Sequence, residues 1–448
     1  MKAEKKEIQL SDHFTYIRLI RFVFPSIVMM VFVSIYGVVD GLFVSNYVGK
    51  TAFASINVIM PLIMGISALG FMIGTGGSAI VAKTLGEGQK EKAQEYFSML
   101  VYVTIAGGLL LSILGVVMLR PAAMLLGAEG ELLESSVLYG KISMISMVPF
   151  MLQNVFQSFF VTAEKPKLGL AVIAVAGVTN MVLDYLFIAV LGFGVAGAAV
   201  ATVCGECFGG LFPILYFSRD NGSLLRLRRA KFYKRILFKT CTNGSSELMT
   251  NLSSSIVNSL YMVQLLRFAG ENGVAAYGTI MYANFIFVAI FIGYSMGSAP
   301  LVSYNYGAGN YSELKNLFTK SLKMVIFTGF VQLLLAQLIA GILAKIFVGY
   351  DADLFALTKH GFRIFSISFL ISGMNIYGSA FFTALNNGPV SALISFSRTL
   401  LFQMAVILTL PFVFGLDGIW ASVAVAEALA LIVTISFFVK KRQRYQYI

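Results

Sequence analysis

Hydrophobic residues fall into twelve long runs separated by short polar segments. A helix crosses the hydrocarbon core of a bilayer with about 20 mainly apolar residues, so each run is long enough to span it. The pattern predicts an all-α polytopic membrane protein with twelve transmembrane helices, which we number span 1 to span 12. The runs cover approximately 19–44, 53–80, 96–119, 136–162, 167–191, 195–218, 236–266, 274–303, 318–344, 359–384, 388–414 and 416–439.

Basic residues concentrate in the polar segments on one side of the expected membrane. The largest group lies within 219–240, and Lys440, Lys441, Arg442 and Arg444 follow the last run. Short segments rich in Lys and Arg remain in the cytoplasm during insertion. We therefore expect both termini in the cytoplasm, a plasma or inner membrane location, and contacts with membrane lipids.

Short motifs recur in the two halves of the chain at an offset of 220 or 221 residues. Gly77-Ser78-Ala79 returns as Gly297-Ser298-Ala299, and Gly86-Glu87-Gly88-Gln89 as Gly307-Ala308-Gly309-Asn310. A constant offset predicts two pseudo-symmetric six-helix lobes with a cavity between them. The expected division is a cytoplasmic segment (1–15), an N-lobe with spans 1–6 (16–218), a basic cytoplasmic linker (219–240), a C-lobe with spans 7–12 (241–439) and a cytoplasmic tail (440–448).

Composition supports the membrane assignment and excludes several functions. Hydrophobic residues make up 58% of the 448 and charged residues 12%, against about 25% charged in soluble domains. The chain has no phosphate-binding GxxxxGK[ST] loop, and His13 and His360 are its only histidines. We expect neither an enzyme nor a cofactor, so an ion or substrate gradient must supply energy. The net charge of +12 lies mainly at span ends, where it indicates topology and no nucleic acid.

Five acidic residues interrupt the apolar runs, and they are the main chemical signal: Asp40, Asp184, Glu206, Glu247 and Glu427. A charge at bilayer depth costs a few kcal/mol by insertion scales, so such residues usually face a cavity and have a function. Arg398 is the one basic residue clearly inside a run. Mutual neutralisation therefore cannot account for all five acids.

Asp40 and residues of spans 5 and 6 form the first candidate site. Asn180 and Asp184 share a helix face, and a tight Gly192–Gly194 turn could place them and Thr202 against Asp40. This oxygen-only set suits a hard cation, and its two carboxylates could share one proton. At the repeat offset Tyr261 replaces Asp40 and span 11 has no acid, which favours function over scaffold. The alternative is that these groups only hydrogen-bond neighbouring helices.

Further polar positions are candidates for a substrate cavity. They are Tyr36 in span 1, Gln153 and Gln157 in span 4, and Glu247, Asn251 and Asn258 in span 7. Substrate contact and plain helix pairing both remain open for them. Pro25 in span 1 is a candidate hinge. Glu206 and Glu427 match each other in the repeat, which favours a structural role for both.

The chain resembles the multidrug and toxic compound extrusion (MATE) family, in its DinF-like and MepA-like branch. The resemblance rests on Pro25, Val39-Asp40-Gly41-Leu42-Phe43-Val44, the stretch from Gly77 to Gly88, and its counterpart Pro300-Leu301-Val302-Ser303-Tyr304-Asn305-Tyr306-Gly307. It implies a V-shaped pair of lobes that exports amphipathic, often cationic, compounds in exchange for H⁺ or Na⁺, by alternating access.

The resemblance also implies site residues. The family's N-lobe cation site matches Asp40, Asn180, Asp184 and Thr202 one by one. Asn375 replaces an acid that the NorM branch carries on span 10, and Glu247 is the candidate for a second-lobe ion site. We expect a monomer. The rival hypothesis is a flippase for lipids or lipid-linked precursors from the same superfamily.

Overall fold

The computed structural model describes residues 8–448, except the side chains of Leu42, Ser45, Asn46, Lys50 and Thr51. Residues 1–7 of the expected N-terminal segment lie outside the described residues. The described chain is helical almost throughout and contains no strand. Its α-helices are Tyr16–Phe43, Lys50–Gly86, Lys90–Leu125, Gly130–Ile145, Met147–Thr162, Pro166–Asp184, Gly194–Ser218, Lys234–Gly307, Tyr311–Val348, Ala352–Phe365, Phe369–Ala384, Gly388–Phe396 and Phe402–Tyr445.

Two of these helices contain a reversal of the chain. Lys234–Gly307, as one rod, would be about 110 Å long, but Gly270 has φ +59°. The Tyr277 hydroxyl donates to Asn258 Oδ1 at 3.1 Å, although 19 helical residues would separate them by about 28 Å. Gly415, with φ +56°, is the corresponding position in Phe402–Tyr445. Both turns use the left-handed conformation that glycine adopts without steric cost.

Counting these reversals gives the expected number of spans. Nine described helical stretches are long and apolar enough to cross a membrane, and the bent pair Gly130–Ile145 and Met147–Thr162 adds a tenth. Gly270 and Gly415 each divide one stretch into two. The twelve-helix architecture is therefore confirmed, with spans 7 and 8 at 234–269 and 271–307, and spans 11 and 12 at 388–414 and 416–445.

Several spans are irregular near their charged residues. The π-helical segments Val44–Val48, Tyr185–Val190 and Ser397–Leu401 lie just beyond Asp40, directly after Asp184 and around Arg398. Span 4 bends by 59° at Ser146. Pro149 explains this bend, because its ring has no N–H to donate to the carbonyl oxygen four residues earlier and collides with it. π-bulges frequently occur at functional positions.

Each lobe has its own hydrophobic core at one end of its helices. In the N-lobe this end contains the turns at residues 49, 126–129 and 191–193. In the C-lobe it contains the turns at residues 270, 349–351 and 415. We call it the distal end. The opposite end, which we call the linker end, carries residues 219–233. There one core combines Val23 and Val161 with C-lobe side chains such as Leu301. The lobes therefore share a core only at the linker end.

Glycines allow the lobes to approach closely at the linker end. A Cβ on Gly76 would lie 2.2 Å from the Thr240 carbonyl oxygen, and one on Gly244 would lie 1.9 Å from that of Met72. The repeat-matched pair Gly86 and Gly307 meets in the same way, because a Cβ on Gly86 would lie 2.1 Å from the Tyr304 carbonyl oxygen. Small residues at such crossings permit backbone contact between membrane helices.

Two expected boundaries differ from the structure. The last part of 219–240 is helical, because the helix of span 7 begins at Lys234, and Ile236 and Leu237 pack on an N-lobe core. The expected tail (440–448) does not begin at the end of a helix either. Its helix continues to Tyr445, and Tyr447 is fully buried with its hydroxyl donating to the Phe438 carbonyl. In both places apolar side chains between the basic residues have a core to enter.

Gly244→Ala tests the contact between the lobes. A Cβ here meets backbone, which cannot rotate away, so we expect a loss of at least 1–3 kcal/mol, as is typical of overpacking. Gly278→Ala, in the neighbouring span 8, is the matched control, with no atom within 4 Å of its Cβ. That change should be neutral or stabilising by up to about 1 kcal/mol. Thermal unfolding of the purified proteins in detergent measures both, and equal shifts would contradict the packing argument.

Candidate functional site

The N-lobe brings Asp40 and Asp184 together. Asp40 lies in the last turns of the first helix, just before the π-helical segment Val44–Val48. Asp184 ends the helix Pro166–Asp184 of span 5. Span 1 can approach span 5 because Gly177 has no side chain, and a Cβ there would lie 2.6 Å from the Phe32 ring. The two carboxyl groups interact electrostatically, although no hydrogen bond of standard geometry joins them.

Asn180 and Thr202 complete the group that the sequence predicted. The Asn180 amide donates to Thr202 Oγ1 at 3.5 Å. Gly205 makes this approach of spans 5 and 6 possible, because a Cβ there would lie 2.9 Å from the Ala176 carbonyl oxygen. The Gly192–Gly194 turn has positive φ at both glycines, +66° and +58°. This short turn lets spans 5 and 6 lie side by side in antiparallel directions.

Most of the oxygens in this group have no partner. Both carboxylate oxygens of Asp184 are buried without a hydrogen bond, as are one oxygen of Asp40 and Oδ1 of Asn180. Asp184 is 0% exposed. No lysine, arginine or histidine forms an ion pair with either aspartate within residues 8–448. An unpaired buried carboxylate is costly, and a bound proton or cation would remove that cost.

A Na⁺ ion fits this donor set by chemistry. Two carboxylates, an amide oxygen and a hydroxyl are hard oxygen ligands, which suit hard cations. The described residues contain no cluster of three or more His, Cys, Asp or Glu side chains that could hold a metal ion. The N-lobe set contains only two acids and is a different kind of site.

The C-lobe acids are arranged differently. Arg398 Nε lies 2.7 Å from Glu427 Oε1, and Asn375 donates to Glu427 Oε2 at 2.7 Å. Thr434 in turn donates to Asn375 Oδ1 at 2.8 Å. Buried polar groups are normally satisfied in this way, so the contacts of Glu427 are those of a structural residue. Glu206 has one such contact, because the Ser146 hydroxyl donates to it.

Tyr261 occupies the C-lobe position that corresponds to Asp40. Its hydroxyl donates to Gln403 Oε1 at 3.0 Å, and its ring stacks on Tyr277 with centroids 5.3 Å apart. The counterpart of the acidic pair is therefore a neutral, hydrogen-bonded aromatic contact. The two lobes share a fold but differ in the charge of this position.

The cavity candidates divide between the lobes. Tyr36 lies beside Gln153 and within electrostatic range of Glu206 and Asp40. Gln157 is 3% exposed, and its Oε1 has no hydrogen-bond partner.

The span 7 candidates lie apart from this group. Asn251 donates back to the Glu247 carbonyl at 2.8 Å within its own helix, and Asn258 accepts from Tyr277. Of these two contacts, that of Asn258 joins two helices, as in the helix-pairing alternative, whereas Tyr36 lies within electrostatic range of Asp40. The substrate roles of all six residues remain predictions.

Pro25 lies where span 1 crosses span 8. The helix Tyr16–Phe43 continues through it, and a Cβ on Gly297 would lie 3.0 Å from Val23. The neighbouring Ser26 hydroxyl is buried without a partner. The proline therefore stands at a contact between the lobes, and its hinge role remains a prediction.

Tyr139 and Ser146 join the N-lobe group without having been identified from the sequence. Tyr139 is 2% exposed, and its hydroxyl lies beside Thr202 and near Asp40. Its position in an apolar run gives no distinguishing pattern. The bend that places Ser146 near Glu206 had a signal, since Pro149 follows it within one turn.

Comparison with known proteins agrees with this architecture. The sequence profile of the MatE family matches residues 25–186 and 248–409, one stretch in each lobe. The multidrug export protein MepA of Staphylococcus haemolyticus is 24% identical over 428 residues, which are 95% of this chain and 94% of the relative.

Two solved structures share the fold. The outward-facing conformation of a multidrug resistance MATE family transporter has a TM-score of 0.92, with 22% identity over 99% of both chains. A MOP superfamily transporter from Pyrococcus furiosus, described as having a binding pocket of reverse polarity that suggests a different function, has a TM-score of 0.89, with 22% identity over 98% of both chains.

The two profile matches together cover well over half of the chain, in agreement with its twelve spans and internal repeat. The protein belongs to the MatE family and is a multi-pass membrane transporter, not an enzyme.

Proposed function

We propose that the protein is an antiporter that exports amphipathic, mainly cationic, compounds in exchange for H⁺ or Na⁺ by alternating access. The observation that carries this proposal is the unpaired acidic pair of the N-lobe. Two adjacent carboxyl groups in a low dielectric do not both stay ionised without a bound cation. Asp40, Asp184, Asn180 and Thr202 would hold that cation, with Tyr36 and Gln153 at its border.

Coupling follows from competition for one negative charge. A proton or Na⁺ at the acidic pair neutralises the N-lobe side of the cavity and lowers its affinity for a cationic cargo. By linkage, bound cargo lowers the affinity for the ion to the same extent. Inward movement of the ion down its gradient then drives outward movement of the cargo, provided that the lobes open alternately to the two sides of the membrane.

Charge also supports this proposal over a lipid flippase. The Pyrococcus structure with a pocket of reverse polarity has the same fold, so the fold alone does not select the cargo. In this chain Arg398 is neutralised by Glu427, whereas the N-lobe acids have no basic partner. Anionic headgroups would meet net negative charge there. MepA proteins, which are multidrug exporters by name, are relatives over nearly the whole chain.

Proteoliposomes with an imposed pH or Na⁺ gradient test the cargo. We expect uphill movement of ethidium-like cationic dyes that stops when the gradient is dissipated. The gradient that drives movement identifies the coupling ion. Movement of anionic lipids alone, with no dye transport under either gradient, would establish the flippase instead.

Asp40→Asn and Asp184→Asn test the coupling site. Each should insert normally, because removing a buried charge lowers the insertion cost, and each should reduce gradient-driven export to background. The exposed carboxylate of Asp417, paired with His360 at the distal end, provides the matched control Asp417→Asn, which should transport at the wild-type rate. Wild-type export by either site variant at equal expression would refute the assignment.

Thiol labelling tests the proposed orientation, with both termini and residues 219–240 in the cytoplasm. In a cysteine-free background, Arg229→Cys and Lys231→Cys should react with impermeant maleimide only from the cytoplasmic side. Glu129→Cys, exposed at the distal end, should react only from outside. The reverse pattern would mean that the linker end faces outward.

A further inference from the structure

Residues 8–15, before span 1, cross the linker end and dock on the other lobe. We call this segment the N-terminal strap. Leu10 and Phe14 are both 0% exposed and enter the core that contains Val161 of the N-lobe and Leu314 of span 9. A polar-flanked segment outside the first span therefore contributes two fully buried side chains to the contact between the lobes.

Side chains of span 9 hold the backbone of the strap. Glu313, itself 6% exposed, accepts from the Phe14 N–H at 2.9 Å, and its second oxygen lies 2.6 Å from His13 Nδ1. The Phe14 carbonyl accepts from Asn316 at 3.0 Å and from Lys320 at 2.6 Å. These partners lie in the first three turns of span 9, so the strap has a defined binding place on the C-lobe.

The strap also touches its own lobe. The Leu10 N–H donates to Glu164 Oε1 in the turn between spans 4 and 5, while the Leu10 carbonyl accepts from Asn305 of span 8 at 3.4 Å. One residue thus bridges the two lobes by its two backbone groups. Separation of the lobes at the linker end would have to break at least one of these bonds.

A second segment makes the reciprocal contact. Residues 224–233, before span 7, lie along the start of span 3, which is the repeat counterpart of span 9. Gln94 donates to the Leu224 carbonyl at 3.0 Å, Ser98 accepts from the Arg228 N–H at 2.9 Å, and Tyr102 donates to the Arg228 carbonyl at 3.1 Å. In each half, the segment before the first helix therefore docks on the third helix of the other half: the strap docks on span 9, and residues 224–233 dock on span 3.

The two segments differ in one respect that matters for movement. Residues 224–233 are tied at both ends, to span 6 and span 7, so their contact with span 3 can persist when the lobes move. For the strap, the described chain shows a membrane helix on one side, span 1. Its position depends on Glu313, Asn316, Lys320 and the burial of Leu10 and Phe14.

We propose that the N-terminal strap is a releasable lock that keeps the linker end of the transporter closed, with Glu313 as its main anchor. While the strap is docked, the glycine contacts between spans 2 and 7 stay sealed. When the strap leaves span 9, the linker end can open. The inference concerns the opening of the lobes and does not depend on which cargo or ion is moved.

Two single-cysteine reporters test this in the full-length protein, with the three native cysteines (Cys204, Cys207 and Cys241) changed to serine. Leu10→Cys reports undocking of the strap. Thr240→Cys reports opening between the lobes, because Thr240 is 0% exposed with its carbonyl against Gly76. Labelling rates with a small maleimide are measured for each reporter, alone and combined with Glu313→Ala or Glu313→Gln.

We expect Glu313→Ala to accelerate labelling of both reporters by about tenfold, which corresponds to about 1.4 kcal/mol. Glu313→Gln retains an acceptor and should give a smaller increase. Asp417→Asn breaks the pair with His360, 2.8 Å apart, within the C-lobe at the distal end, and should leave both rates unchanged.

Three outcomes would overturn the proposal. Faster labelling of Leu10→Cys without faster labelling of Thr240→Cys would mean that the strap leaves without opening the lobes. Unchanged labelling of both would mean that Glu313 does not anchor it. A rise in both reporters with Asp417→Asn as well would indicate general loosening rather than release of a lock.

Discussion

The close contact of spans 2 and 7 through Gly76 and Gly244 is the constraint on which the architecture depends. Each glycine lies against a backbone carbonyl of the other lobe, so no larger residue fits without separating the helices. Because this contact is confined to the linker end, the distal halves keep separate cores. The positions of the glycines thus decide where the lobes are joined. Asp184 and Asn180 are buried within the N-lobe, outside the core that the two lobes share.

Pseudo-symmetry makes the difference between the lobes informative. The same position holds Asp40 in one half and Tyr261 in the other, and Glu427, the counterpart of Glu206, is neutralised by Arg398. A bilayer protein that needed these positions only for packing could satisfy them in the way the C-lobe does. The N-lobe instead leaves both oxygens of Asp184 without a partner. Unmet polar groups at this depth are costly, which is the physical argument for a transported cation as their missing partner.

The number of spans, the internal repeat and the shared helix face of Asn180 and Asp184 could be predicted from the sequence, because hydrophobic period and i, i+4 spacing are local properties. The approach of Asp40 and Thr202 to them is tertiary, and it was expected from the Gly192–Gly194 turn and from the family resemblance. The π-helical segments beside Asp40 and Asp184 could not, since hydrogen bonds shifted by one residue leave no pattern in composition. Tyr139 was missed for a related reason. The sequence does not show whether an aromatic residue in an apolar run packs in a hydrophobic core or contacts a polar side chain such as Thr202. The burial of Leu10 and Tyr447 was missed because only tertiary contacts give these side chains a core to enter.

Span 1 connects three features of the proposed mechanism. It starts at the strap, whose Phe14 is held by Glu313 of span 9. It then crosses span 8 at Pro25, beside a glycine contact, and it ends at Asp40, just before a π-helical segment. A proline removes one helical hydrogen bond and a π segment shifts others, so this helix has two places where its ends can move relative to its middle. In the proposed mechanism, an ion at Asp40 and the docked strap both act on this helix and bias the same equilibrium between the lobes.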